Sequence, residues 1–93
     1  MTGLKLLYVE DDARLAGEVC ETLTAQGDSV EWVGTGGEGL ARAASQPFDV
    51  VILDRMLPDL NGIELVSRLR DAGVAAPVLM LSALGRVENR IDG

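Results

Sequence analysis

Acidic and hydroxyl side chains stand at the ends of three apolar runs in this sequence. Glu10 and Asp11 follow the first run, Asp54 ends the third, and Ser82 follows the fourth. Carboxylates that lie close together repel each other, and a hard divalent cation such as Mg²⁺ relieves the repulsion by binding their oxygens. A carboxylate beside such a cation can attack a phosphoryl group and form an aspartyl phosphate. The pattern therefore predicts a metal-assisted phosphoryl site, provided that the fold brings these residues together.

The apolar runs are short and favour strands, and helical patterns lie between them. Strands are predicted at residues 4–9, 29–33, 50–54 and 78–81. Helices are predicted at residues 13–26, 36–45 and 63–71, and the first turns of a fourth helix at 86–92. Asp12 is expected to cap the first helix, and Thr35 with Glu38 has the spacing of a capping box at the second. Gly27 and Gly73 are expected to end the first and third helices.

The alternation of strands and helices with short connections is typical of a parallel sheet with helices on both faces. The unbroken apolar run 50–53 supports this prediction, because strands of such a sheet are covered on both sides. We therefore predict an α/β fold: a doubly wound sheet of four strands, with three full helices and the start of a fourth. Ligands of such sheets bind at the carboxyl ends of the strands, where the acidic residues and Ser82 are placed.

The composition excludes several classes of function. The chain has 93 residues and a net charge of −7, which disfavours binding to nucleic acid by this segment. It has no histidine and one cysteine, so most zinc sites, disulfide frameworks and Ser–His or Cys–His catalysis are excluded. Cys20 lies in a helical pattern and is interpreted as a small core residue. No apolar run resembles a signal peptide or a membrane span, so a cytoplasmic protein without membrane contact is expected.

Three segments carry a resemblance to a known family. They are YVEDD at 8–12, VVILDRMLPDLNG at 50–62 and VLMLSA at 78–83. On these segments the chain resembles the receiver domains of two-component response regulators, in register and over essentially its whole length. The run from Asp54 to Gly62 is especially similar to the subfamily that carries a winged-helix DNA-binding domain downstream. The resemblance implies a flavodoxin-like fold and a signalling domain rather than an enzyme.

The resemblance also implies a role for each candidate residue. Asp54 looks like the phosphoacceptor, which a sensor histidine kinase would supply with a phosphoryl group. Glu10 and Asp11 look like the acidic pair that holds Mg²⁺ together with Asp54, Asp11 directly and Glu10 through water. Met56 would offer its backbone carbonyl to the metal. Ser82 resembles the hydroxyl residue that binds a phosphoryl oxygen and shifts on activation.

The sequence departs from the family in one respect. The family places a phosphoryl-binding lysine at the end of a fifth strand, whereas the only lysine here is Lys5, inside the first strand. We therefore interpret residues 1–93 as a receiver domain truncated before the fifth strand and the last helix. Loss of that strand would expose the edge of the fourth strand, so self-association through this edge, or exchange of elements between chains, is expected. An alternative function is a receiver-like fragment that cannot be phosphorylated and acts only as an interaction or dimerisation module.

A second alternative comes from a glycine-rich segment. Residues 34–39, with the sequence GTGGEG, match the dinucleotide-binding pattern GxGxxG, and Asp54 lies 20 residues beyond Gly34. Against this interpretation, Glu38 would repel a pyrophosphate, and the chain is too short for a complete dinucleotide fold. It would also leave Glu10, Asp11 and Ser82 without a role.

Overall fold

As far as residue 81, the strands and helices follow the predicted order along the chain. A computed structural model describes residues 3–54, 57–81 and 87–90, the last four by their backbone. The elements are β1 Lys5–Val9, α1 Ala13–Ala25, β2 Ser29–Val33, α2 Gly36–Ser45, β3 Val50–Asp54, α3 Gly62–Asp71, β4 Val78–Leu81 and β5 Val87–Arg90. The four strands and three full helices that the apolar periodicity predicts are all present, so these predictions are confirmed.

Side chains from the flanking residues begin each helix. Asp12 Oδ1 accepts hydrogen bonds from the amides of Arg14 and Leu15, at 3.0 and 3.2 Å. Thr35 Oγ1 accepts from the amide of Glu38 at 3.2 Å, which confirms the predicted cap of α2. Asn61 caps α3 in the same way, because its Oδ1 accepts from the amide of Glu64 at 2.8 Å. These bonds satisfy backbone amides that have no partner inside the helix.

The sheet places β1 and β3 side by side at its centre. Its strand order is β2-β1-β3-β4-β5, and the first four strands are parallel to one another. This is the doubly wound arrangement that the sequence predicts, and the right-handed rule for its crossovers places α1 on the face opposite α2 and α3. No helix within the described residues is long and apolar enough to cross a bilayer.

The core lies between the sheet and the pair α2 and α3. Its buried members are Leu7, Val9, Val33, Ala43, Val51, Leu53, Leu65, Leu69, Val78 and Met80. Leu6 and Tyr8 alternate with members of this cluster along β1 and are buried towards the other face, because successive side chains of a strand point to opposite sides. β1 is thus covered on both faces.

The last strand corrects two of the sequence predictions. Residues 86–92 were expected to begin a helix, but Val87–Arg90 form β5, which pairs with β4 in the antiparallel direction. The helix prediction is wrong because the edge of β4 offers unpaired backbone groups, and pairing with β5 satisfies them. The expected exposure of that edge is wrong for the same reason, and with it the basis for self-association through β4.

Gly39 allows α2 to approach β1 closely. A Cβ built on Gly39 would lie 2.7 Å from Cγ2 of Val9, a distance that real Cβ atoms essentially never show. Val9 is fully buried and branched at Cβ, so its methyl group cannot move aside easily. The glycine is therefore explained by packing between the helix and the sheet.

We expect Gly39→Ala to lower the free energy of unfolding by about 1–2 kcal/mol, because overpacking outweighs the better helix propensity of alanine. Gly17→Ala is the matched control within α1, since a Cβ added at Gly17 would meet nothing within 4 Å. It should raise the free energy of unfolding by somewhat less than about 1 kcal/mol. Urea unfolding of both variants measures the difference, and equal effects of the same sign would contradict the packing argument.

Candidate functional site

Three carboxylates meet at the carboxyl ends of the two central strands. Val9 and Leu53 are partners in the register of β1 and β3, so Glu10 and Asp54, the next residues of each chain segment, become neighbours. One carboxylate oxygen from each of Glu10, Asp11 and Asp54 lies within 4.8 Å of the others. The structure thus brings together the three acidic residues that the sequence placed in one pocket.

The other candidate residues have different positions. Met56 and Ser82 lie outside the described residues. Asp12 caps α1, as expected, and does not belong to the acidic group. Lys5 begins β1 at the far end of the strand, where its Nζ donates to Gln46 Oε1 at 2.7 Å. The only lysine of the chain therefore lies at the amino-terminal ends of the strands, whereas the carboxylates lie at their carboxyl ends.

Four hydrogen bonds hold Glu10, two at its side chain and two at its backbone. Its side chain accepts from the Tyr8 hydroxyl at Oε1, at 3.1 Å, and from the Asp12 amide at Oε2, at 3.2 Å. Its backbone amide donates to the Val33 carbonyl at 3.0 Å, and its carbonyl accepts from Trp32 Nε1 at 2.7 Å. Only 2% of Glu10 is exposed to solvent. Glu10 therefore has a fixed position beneath the two more accessible carboxylates.

Burial and like charge make the ionised form of Glu10 costly. Desolvation, together with the charge of Asp54 and a hydrogen bond with it, raises the pKa of Glu10 to about 7. The amide of Asp12 and the hydroxyl of Tyr8 act in the opposite direction, because they donate to the carboxylate. A positive charge at this point would relieve the repulsion between Glu10 and Asp54.

The donor set fits a hard divalent cation. Glu10, Asp11 and Asp54 offer only carboxylate oxygens, which are the ligands that Mg²⁺ and Ca²⁺ prefer. The site has neither thiolate nor imidazole ligands, since Cys20 lies in α1 and the chain has no histidine. Asp11 is exposed and Asp54 is half-buried, so a cation can reach both from solvent.

Asp59 fills the anion-binding end of α2. Its Oδ1 accepts from the amide of Gly36 at 2.8 Å, and its Oδ2 accepts from the amide of Gly37 at 2.9 Å. These amides would cradle a pyrophosphate in a dinucleotide site. The carboxylate of the chain itself already occupies them, which argues against the dinucleotide interpretation of residues 34–39. The two bonds, that of Gly37 first, hold the pKa of Asp59 below its usual value.

Sequence reasoning missed two residues that contact Glu10, and a third that binds the first turn of α2. Tyr8 stands two positions before Glu10 on a strand, and this period-two spacing could have placed the two side chains on the same face. The contact of Trp32 with Glu10 depends on the pairing of β1 with β2, which the sequence order alone leaves open. The contact of Asp59 with α2 joins residues 22 and 23 positions apart and has no local signal.

Four parallel strands in the order β2-β1-β3-β4, with acids at the ends of β1 and β3, are typical of the flavodoxin-like α/β class of receiver folds. Residues 6–93 match the family described as response regulator receiver domain. The chain therefore belongs to the receiver domains of response regulators.

Curated relatives and solved structures agree with this assignment. The chain is 42% identical to the probable transcriptional regulatory protein SilR of Salmonella typhimurium over 90 residues, which are 97% of this chain and 40% of SilR. It is 40% identical to the transcriptional regulatory protein CusR of Escherichia coli K12, with the same coverage. The Francisella response regulator 1452 receiver domain superposes with a TM-score of 0.84 at 31% identity, over 90% of this chain and 69% of that one.

We expect the metal-free protein to lose stability as the pH rises from 5 to 7.5. The folded pKa of Glu10, about 7, lies above its ordinary value of 4.5, so the folded state binds a proton that the unfolded chain releases. The loss should be on the order of 2 kcal/mol. No other side-chain type of this histidine-free chain ordinarily titrates in that range. Urea unfolding with a chelator present, compared with Glu10→Gln, measures the effect. The same pH dependence in the variant would contradict it.

Asp59→Asn should destabilise the first turn of α2. The asparagine side chain has one oxygen and can replace only one of the two carboxylate oxygens that accept from the backbone N–H groups of Gly36 and Gly37. A carboxylate with a lowered pKa contributes stability above the pKa of the unfolded chain, and the contribution disappears as the pH falls through the folded pKa. The difference in unfolding free energy between parent and variant should therefore be largest near neutral pH and vanish in acid. Glu18→Gln, at an exposed position of α1, is the control. A difference that persists at low pH would rule out the carboxylate as its origin.

Proposed function

We propose that this chain is a phosphorylation switch in which Asp54 accepts a phosphoryl group from a sensor histidine kinase. The observation that carries the proposal is the meeting of Glu10, Asp11 and Asp54, with ligand oxygens within 4.8 Å, at the carboxyl ends of β1 and β3. Membership of the receiver family supports a histidine kinase as the donor. The raised pKa of Glu10 supports binding of a cation by these carboxylates.

Each acidic residue has a separate part in the proposed reaction. A carboxylate oxygen of Asp54 attacks the phosphorus atom, an O–P bond forms, and the N–P bond to the kinase histidine breaks. The leaving imidazole then takes up a proton. Asp11 and Asp54 would hold Mg²⁺ directly, and Glu10 would orient its water ligands. When bound, Mg²⁺ neutralises the charge that builds up on the phosphoryl oxygens.

Two further roles rest on the resemblance of the sequence alone. Met56 would give its backbone carbonyl to the metal, and Ser82 would bind a phosphoryl oxygen. Lys5 takes no part in the proposed reaction, because its Nζ is bound to Gln46 at the amino-terminal end of β1. The alternative, a receiver-like module that acts only through interactions, has less support, because the acidic group is complete without the lysine.

The proposal extends to the longer protein in which such a domain works. The chain spans 40% of the length of SilR and CusR, which are transcriptional regulatory proteins by name. We propose that residues 1–93 form the first part of a receiver domain in the cytoplasm and that its output is a DNA-binding transcriptional domain outside this segment. The net charge of −7 makes the segment itself a poor ligand for nucleic acid.

Incubation with acetyl phosphate and Mg²⁺ should add one phosphoryl group to the chain, as measured by intact mass. Asp54→Asn should show no addition, because an amide is not a nucleophile in this reaction. Asp49→Asn, which alters a carboxylate at the opposite end of β3, is the control and should react like the parent. Omission of Mg²⁺ should abolish the reaction in the parent and in Asp49→Asn. Equal modification of the parent and Asp54→Asn would overturn the assignment of the phosphoacceptor.

A further inference from the structure

We propose that Tyr8 is a positioning residue for the metal site, because its buried hydroxyl group fixes the carboxylate of Glu10 before the cation binds. The inference rests on the proposed function, since it concerns the affinity of the acidic group for Mg²⁺. It gives a function to the Tyr8 hydroxyl group, which is buried next to the acidic residues.

The position of Tyr8 follows from the geometry of β1. Residues two apart on a strand point to the same face, so the side chains of Tyr8 and Glu10 lie one after the other. Tyr8 is fully buried, and its hydroxyl group donates to Glu10 Oε1 at 3.1 Å. The tyrosine thus reaches Glu10 from within the protein interior.

The hydroxyl bond completes the immobilisation of Glu10. The Asp12 amide holds the other carboxylate oxygen, and Val33 and Trp32 hold the backbone of the same residue. Without Tyr8, Oε1 would lose its donor, and the carboxylate could rotate about its terminal torsion, which has a broad energy profile. A carboxylate that is already oriented loses less conformational freedom when the cation binds, which favours binding.

The hydroxyl group acts on Glu10 in a way that a phenylalanine ring could not. A buried hydroxyl group is costly unless it makes a hydrogen bond, so packing alone would favour phenylalanine at this position. Burial, together with the negative charge of Glu10, raises the pKa of Tyr8 well above its ordinary value, and the group therefore remains a donor. Residues that orient metal ligands by hydrogen bonds commonly control the affinity of the metal.

Trp32 provides the readout for a direct test. It is the only tryptophan of the chain, it is 43% exposed, and its indole nitrogen binds the carbonyl oxygen of Glu10. Its fluorescence should therefore change when a cation binds to the neighbouring carboxylates. Titration of the whole chain with MgCl₂ gives the affinity of the folded protein, and urea unfolding in chelator gives its stability without metal.

Tyr8→Phe removes only the hydroxyl group and with it the hydrogen bond to Glu10 Oε1. This loss should weaken Mg²⁺ binding by about tenfold. Val78→Ala is the matched control, since it removes buried methyl groups at the start of β4 and should lower stability while leaving the affinity unchanged. In Tyr8→Phe, the Mg²⁺ concentration that gives half-maximal phosphorylation by acetyl phosphate should rise by the same factor. At saturating Mg²⁺, the rate should equal that of the parent. All proteins are also titrated in sucrose, which favours the folded state, so a loss of stability cannot be mistaken for a loss of affinity.

The outcomes separate this inference from the proposed function. If Tyr8→Phe binds Mg²⁺ as tightly as the parent, Tyr8 is only a core residue, and the inference is overturned while the proposed function stands. If Val78→Ala weakens Mg²⁺ binding as much as Tyr8→Phe, the affinity follows stability, and the inference is again overturned. If the parent itself neither binds Mg²⁺ nor accepts a phosphoryl group, the proposed function fails, and the inference fails with it.

Discussion

The mutual repulsion of Glu10 and Asp54 is the constraint on which the arrangement of this domain depends. Two negative charges are brought together by the register of β1 and β3, and one of them is almost completely removed from water. The fully buried side chains of Leu7, Val9 and Leu53 stabilise the strands that hold the charges in place. Hydrogen bonds to Glu10 reduce the cost but leave its pKa near neutrality. The fold thus maintains repulsion between two carboxylates at the carboxyl ends of β1 and β3, and a bound cation is the simplest group that can offset this repulsion.

The sequence predicted those features whose causes are local or periodic. The strands, the caps at Asp12 and Thr35, and the helix ends at Gly27 and Gly73 follow from spacing of a few residues, and the structure confirms them. β5 was missed because the state of its four residues depends on the neighbouring edge of β4 and not on their own pattern. The contact of Asp59 with α2 was missed for a related reason, since its partners are distant in sequence. The roles of Met56 and Ser82 remain predictions.

The glycine-rich segment shows how a motif takes its meaning from what surrounds it. Gly39 is needed for the close approach of α2 to Val9, and a side chain at Gly36 would be crowded by Leu60 and Asp59. The amides that could bind a phosphate are occupied by a carboxylate, and Glu38 takes part in the cap through a 3.1 Å hydrogen bond from the Thr35 hydroxyl. The same glycine spacing therefore serves helix packing here and nucleotide binding elsewhere.

Asp59 and Asn61, two residues apart, bind the first turns of two different helices. The amino-terminal ends of α2 and α3 are thereby fastened to one short turn, which acts as a common pivot. Bodies joined at a pivot move least near it and most at their far ends. Relative motion of the two helices should accordingly be greatest at their carboxyl ends, where residues 43–48 and 72–76 line a cavity of about 420 Å³. The acidic site lies at the joined ends of the helices, where the least relative motion is expected.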